Sequence, residues 1–190
     1  MDQAAGTFCT SRCRLTKKEV LILAADITEI QNYLDMVIKD IWLNNILLDY
    51  KEGHLLLEDA LKCSFYFHLR KRLSDDWLKE QNVRMYPEYR IGSKKADLAI
   101  VKMKEHFDFK ETHLRESVDS VLAIIEFKYK VGEVSNNPFF RDWEKVIAYA
   151  KTMNGVQVYG CFLHEYPYSN HPDWSNMLSE TTLTGSVSVL

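Results

Sequence analysis

Glu126 and Lys128 are two residues apart in the run Ile124-Ile125-Glu126-Phe127-Lys128. On an extended strand that spacing sends both side chains to the same face. The residues before them, Val121-Leu122-Ala123-Ile124-Ile125, are almost continuously apolar, as in a central strand covered on both sides. A carboxylate and an ammonium at the end of such a strand are costly to bury unless they pair or bind something. Asp97 sits in a comparable place on the preceding strand pattern, Lys95 to Met103, where Ala96, Leu98 and Ile100 alternate with Asp97 and Ala99. If the two strands pair, Asp97 and Glu126 converge. Two hard carboxylates with open positions suit Mg²⁺, which prefers oxygen ligands and keeps waters. Such an ion polarises a phosphoryl oxygen and lowers the pKa of a bound water, while Lys128 could orient that water or offset developing charge.

The elements that must position these residues are legible as periodicities. A helical region runs from about Thr16 to Tyr50, with Thr16 and Glu19 in capping-box spacing and a wide apolar face that includes Ile27, Ile30, Leu34, Val37, Ile38 and Ile41. Its length suggests a break near Asp26 to Thr28, and Gly53 closes it as a turn. Leu57, Leu61, Phe65, Leu69 and Leu73 then mark a helix with one buried stripe. Its outer face carries Lys62, Arg70, Lys71 and Arg72. These read as a solvated surface, with phosphate contact as the alternative, and Phe65, Tyr66 and Phe67 read as core aromatics. Val83 to Ile91 reads as a strand in which Pro87 points to an edge or a bulge. Gly92-Ser93 is a turn, and Lys104 to Ser120 a charged insertion or short helix. Asn136-Asn137-Pro138 opens a helix, Phe139 to Met153, that stops at Asn154-Gly155. Val156 to Leu163 is a last strand. The order helix, strand, strand, strand, helix, strand is that of an α/β protein with a mixed central sheet.

Lys95-Ala96-Asp97-Leu98-Ala99-Ile100 followed by Ile124-Ile125-Glu126-Phe127-Lys128 resembles the two signature strands of the PD-(D/E)XK, or restriction-endonuclease-like, nuclease superfamily. Ala96 stands where the family name has proline, a position many members vary. The resemblance covers about residues 55–164 and implies an αβββαβ core flanked by helices. It divides the chain into an N-terminal helical extension (1–53), the nuclease-like core (54–165) and a C-terminal tail (166–190).

It implies a Mg²⁺-dependent hydrolase, with Mn²⁺ as a substitute ion, that cuts phosphodiester bonds, those of DNA first, through a metal-activated water. Asp97 and Glu126 would be metal ligands, and Lys128 would assist the attacking water. Glu58, at the head of the first core helix, would be a further ligand and part of the catalytic set, with Asp59 as its competitor. Asp142, Lys145 and Tyr149 lie three and four apart, so they share a helix face. In several branches of the superfamily that face closes the site, although an Asp142–Lys145 surface ion pair explains the spacing as well. Small members of the family often serve in restriction, defence or repair. The alternative function is a catalytically inactive subunit of the same fold, acting in nucleic-acid binding or assembly.

The remaining features bound the function. A net charge of −3 excludes a protein coated in basic charge but permits a local basic patch. Cys9, Cys13, Cys63 and Cys161 form no C-x-x-C pair, and the six histidines, from His54 to His171, show no ligand spacing, with His68 read as structural. The cysteines read as reduced thiols of a cytoplasmic protein. There is no apolar signal segment, and the longest apolar run, Val20 to Ala25, is too short to span a bilayer. The apolar N-terminal face requires a cover, and a homodimer, a lid or a docked partner all remain open.

Overall fold

The computed structural model describes residues 17–105, 113–130 and 137–164. The chain forms a four-stranded mixed sheet with helices on both faces. The elements are α1 (Lys17–Asp40), one wider π-helical turn (Ile41–Ile46), α2 (Leu47–Lys51), α3 (Glu58–Leu73), α4 (Asp75–Glu80), β1 (Val83–Ile91), β2 (Lys94–Met103), a short 3₁₀ turn (Leu114–Ser117), β3 (Val118–Lys130), α5 (Asn137–Thr152) and β4 (Gln157–His164). The strand order is β1-β2-β3-β4. The pairs β1–β2 and β2–β3 are antiparallel, whereas β4 runs parallel to β3 after the crossover through α5.

The sheet is covered unevenly. On one face Leu98, Ile100, Ala123, Ile125, Phe127 and Tyr129 pack against α1 and α3, whose Leu34, Ile38, Leu61, Phe65 and Leu69 are fully buried. On the other face Ile124, Val158 and Phe162 meet Phe139, Trp143, Val146 and Tyr149 of α5. Ala96 joins this second cluster instead of siding with Leu98, so the alternation expected of β2 is broken just beside Asp97.

Three details differ from the periodicity. First, α1 runs unbroken through Asp26 to Thr28. No proline or glycine falls there, and Asp26 lies outward, where it accepts from Lys102 Nζ at 2.7 Å. The irregularity comes later, as the π-helical turn that buries Ile41, Trp42 and Ile46. Second, β3 begins at Val118, three residues before its apolar run. Third, the six-residue α4 has too few residues to show a period; Ser74 caps it, its Oγ accepting from the Trp77 backbone N–H at 3.2 Å. The proposed cap at Thr16 and the whole tail after residue 164 lie outside the described residues.

The first helix belongs to the same core as the sheet. Gln31 Nε2 donates to the carbonyls of Leu122, at 3.0 Å, and Gly155, at 2.7 Å. The Tyr159 hydroxyl donates to Asp35 Oδ1 at 2.9 Å. The apolar face that called for a cover therefore finds one in the chain's own sheet and α3. Met36, Leu43 and Leu48 stay exposed.

Candidate functional site

The β2–β3 ladder stops at the pair Leu98–Ile125. One step further along the same register, Asp97 stands opposite Glu126. There the connection changes character: Asp97 Oδ2, not its backbone, accepts the Phe127 N–H at 2.8 Å. On the other side of β2, Glu88 drops out of the β1 ladder with a left-handed φ of 57°, next to Pro87, which has no N–H to give. Pro87 thus marks an edge strand with a local kink and no change of register. From Glu126 onward β3 pairs with β4 alone. A gap opens between the two motif strands, with α3 on one flank and α5 on the other.

Into this gap the fold delivers alternating charges. Lys62 Nζ bridges Asp97 Oδ1, at 2.9 Å, and Glu58 Oε1, at 3.0 Å. Lys128 Nζ bridges Glu58 Oε2, at 2.9 Å, and Asp142 Oδ2, at 3.1 Å. Lys145 Nζ donates to Glu126 Oε2 at 2.6 Å. Asp97, Glu126, Lys128 and Glu58, the four residues singled out in the sequence, thus lie in one neighbourhood, with Asp142 and Lys145 among them. Asp142 and Lys145 take separate partners across the site instead of pairing with each other. Asp59, the competitor of Glu58, lines a cleft of about 440 Å³ shared with Lys62, Tyr66 and Asp97, while Glu58 meets both lysines.

Burial sets the electrostatics. Glu126 is fully buried, and its Oε1 has no hydrogen-bond partner. Loss of water pushes its pKa up to about 8; Lys145 opposes that shift, and the nearby Asp97 charge adds to it. Tyr149 is pushed up to about 12, first by burial and then by the charges of Glu126 and Asp97. Burial works against the charge of Lys62 and of Lys128. For Lys62 the hydrogen bonds to Asp97 and Glu58 outweigh it, and for Lys128 those to Glu58 and Asp142 do, so both pKa values rise. Gly160, the β4 partner of Glu126, has no side chain; a Cβ there would come within 3.2 Å of the Phe162 ring. The ring thus lies across this position.

Among the described residues no three His, Cys, Asp or Glu side chains gather into a cation-binding group. Mg²⁺ does not require one, since it is commonly held by one or two carboxylates, with water and substrate phosphate completing its shell. The donors present suit that arrangement: a dehydrated carboxylate oxygen of Glu126 without a partner, next to Asp97, whose remaining contacts are one lysine and one backbone N–H. A cation there would replace the proton Glu126 now favours.

Lys62 is the member that periodicity misassigned. It read as solvated surface with the other cations of α3, yet it flanks the buried leucine stripe and reaches the sheet. The usable signal was its spacing of four from Glu58, which puts both at the same end of α3. His68 is structural as expected, with Nε2 2.9 Å from Asp49 Oδ2, and Ser64 donates to the same oxygen. Among the described residues Cys63 and Cys161 are free thiols, and no helix is long and apolar enough to cross a membrane. Comparison of the chain with protein families, with curated proteins and with solved structures returned no match.

Proposed function

We propose that the chain is a Mg²⁺-dependent nuclease of the restriction-endonuclease-like type that hydrolyses phosphodiester bonds, those of DNA first. The observation that carries this reading is the gap between β2 and β3, where Asp97 and the dehydrated Glu126 stand opposite each other with Lys128 two residues along. Asp97 and Glu126 would hold the ion, and Glu58 would serve the site through the two lysines it holds, Lys62 and Lys128. When bound, the ion would supply a lowered pKa for water and a counter-charge for the phosphoryl oxygens.

The chain's own groups do the rest. Glu58 and Asp142 hold the Lys128 ammonium from two sides. The phosphate would therefore meet a donor already aimed, able to offset charge as water forms the new P–O bond and the bond to the departing sugar oxygen breaks. Lys145 compensates Glu126 from the α5 side and keeps that carboxylate in place. This reading puts the protein with nucleic acid, and we place it in the cytoplasm on that reading alone.

The test is cleavage of plasmid, linear and single-stranded DNA, and of RNA, with and without Mg²⁺. Wild type should cut in Mg²⁺ and stop with EDTA, and Asp97→Ala and Lys128→Ala should each lose about 10²-fold or more. Cleavage retained by both variants would defeat the assignment. A second reading has one observation in its favour: Glu58, Asp97, Glu126 and Asp142 are each bonded to a lysine, as in a site closed by its own salt bridges. On that reading the protein is a silent nuclease-fold subunit, and wild type cuts none of these substrates.

A further inference from the structure

Tyr66 lines two concavities at once. One is the cleft that reaches Asp97 and Lys62, and the other is a groove of about 460 Å³ shared with Phe67, Arg70 and Lys71. The two adjoin at Tyr66 along α3. Lys62, Tyr66 and Arg70 follow one another at intervals of four residues, so they form a row about 12 Å long that climbs from the flank of the buried stripe, at Lys62, to the exposed side of α3, at Arg70. That is the axial length of about three to four stacked nucleotides of one strand. The aromatics beside the row differ from the sequence expectation. Phe65 is buried, but Phe67 is 59 % exposed, with Lys71 Nζ 5.8 Å above its ring. An exposed ring flanked by cations has a face for an unpaired base and charges for the phosphates on either side of it. A paired base, already stacked in its duplex, has no free face to offer.

We propose that this ridge of α3 binds a single nucleic-acid strand and leads it into the gap between Asp97 and Glu126. The proposal deepens the nuclease reading and rests on it for the direction of the strand. It makes an unpaired strand, whether free, flapped or opened from a duplex, the substrate class. Arg70 is held by Asp75 at 2.6 Å, but both side chains are more than half exposed, and an exposed pair of this kind is weak enough for a phosphate to displace.

The test is fluorescence anisotropy of a labelled oligothymidylate strand and of a duplex of the same length, on the full chain in EDTA, where nothing is cut. Wild type should favour the single strand. Phe67→Ala should weaken strand binding about tenfold. The Arg70→Ala/Lys71→Ala pair should weaken it and flatten its salt dependence by about 0.7 in slope for each phosphate contact removed. Lys51→Ala, which removes an exposed cation elsewhere, should do neither. A wild-type preference for duplex, strand binding unchanged in both ridge variants, or an equal loss in Lys51→Ala would each overturn the ridge. The nuclease reading fails separately: if the ridge variants weaken strand binding as expected but wild type cuts nothing in Mg²⁺, the ridge stands and catalysis falls.

Discussion

Glu126 concentrates the chemistry of the site in one carboxyl group. Its pKa, pushed up to about 8, exceeds its ordinary value of 4.5. Between those two values the folded chain keeps a proton that the unfolded chain has lost. This group's contribution therefore makes stability fall as pH rises through that window, and the contribution levels off above it. Thermal midpoints measured from pH 5 to 8 should decline more steeply for wild type than for Glu126→Gln, which has no proton to lose. Equal slopes would mean that Glu126 is ionised throughout. The same proton must leave before a cation enters, so Mg²⁺ affinity should increase toward pH 8. Lys145 is the counterpart. Lys145→Met leaves Glu126 Oε2 as unpartnered as its Oε1, and should cost about 1–3 kcal/mol in chemical denaturation at pH 8.

At the scale of elements, the strands were the most readable part. A period of two puts Glu126 and Lys128 on one face, and an apolar run on both sides marks β3 as central; the structure has both features. What escaped was whatever depends on neighbours. The only local mark that sets Lys62 apart from Arg70 or Lys71 is its spacing of four from Glu58; what gives it a place in the site is the approach of Asp97 from another strand. Ala96 reads as a partner of Leu98 by alternation, yet it packs on the α5 side, one step past the point where Glu88 leaves the β1 ladder. Phe67 carries the same side chain as Phe65 two positions earlier, and only the turn of the helix makes one buried and the other exposed. The site depends on α1 as well, because α1 backs the sheet. Leu34→Ala, at a fully buried position, should lower unfolding free energy by about 2–5 kcal/mol without moving any charged group of the site.

Across the whole molecule, the N-terminal helices are one layer of a three-layer structure. They cover the sheet face opposite α5, share its core and are pinned to β2, β3 and β4 by Lys102, by Gln31 and by Tyr159. A chain beginning at residue 54 should therefore lose its cooperative thermal transition and near-ultraviolet circular dichroism. Retention of both would mean that the sheet needs no cover on that side. The overall charge is slightly negative, so on the proposed reading attraction to nucleic acid would have to come from local placement, for which the exposed cations of α3 are the candidates. The fold makes that placement possible by parting β2 from β3 just where the two acids face each other.

The central claim is that Asp97 and Glu126 share one divalent cation, and the most direct measurement is calorimetric titration of Mg²⁺, or of Mn²⁺ in its place, into the full chain at pH 8. The account expects saturable binding of one ion per chain, abolished in Asp97→Ala and in Glu126→Gln and preserved in Arg70→Ala. Absence of binding in wild type, or binding unchanged when either acid is removed, would contradict it.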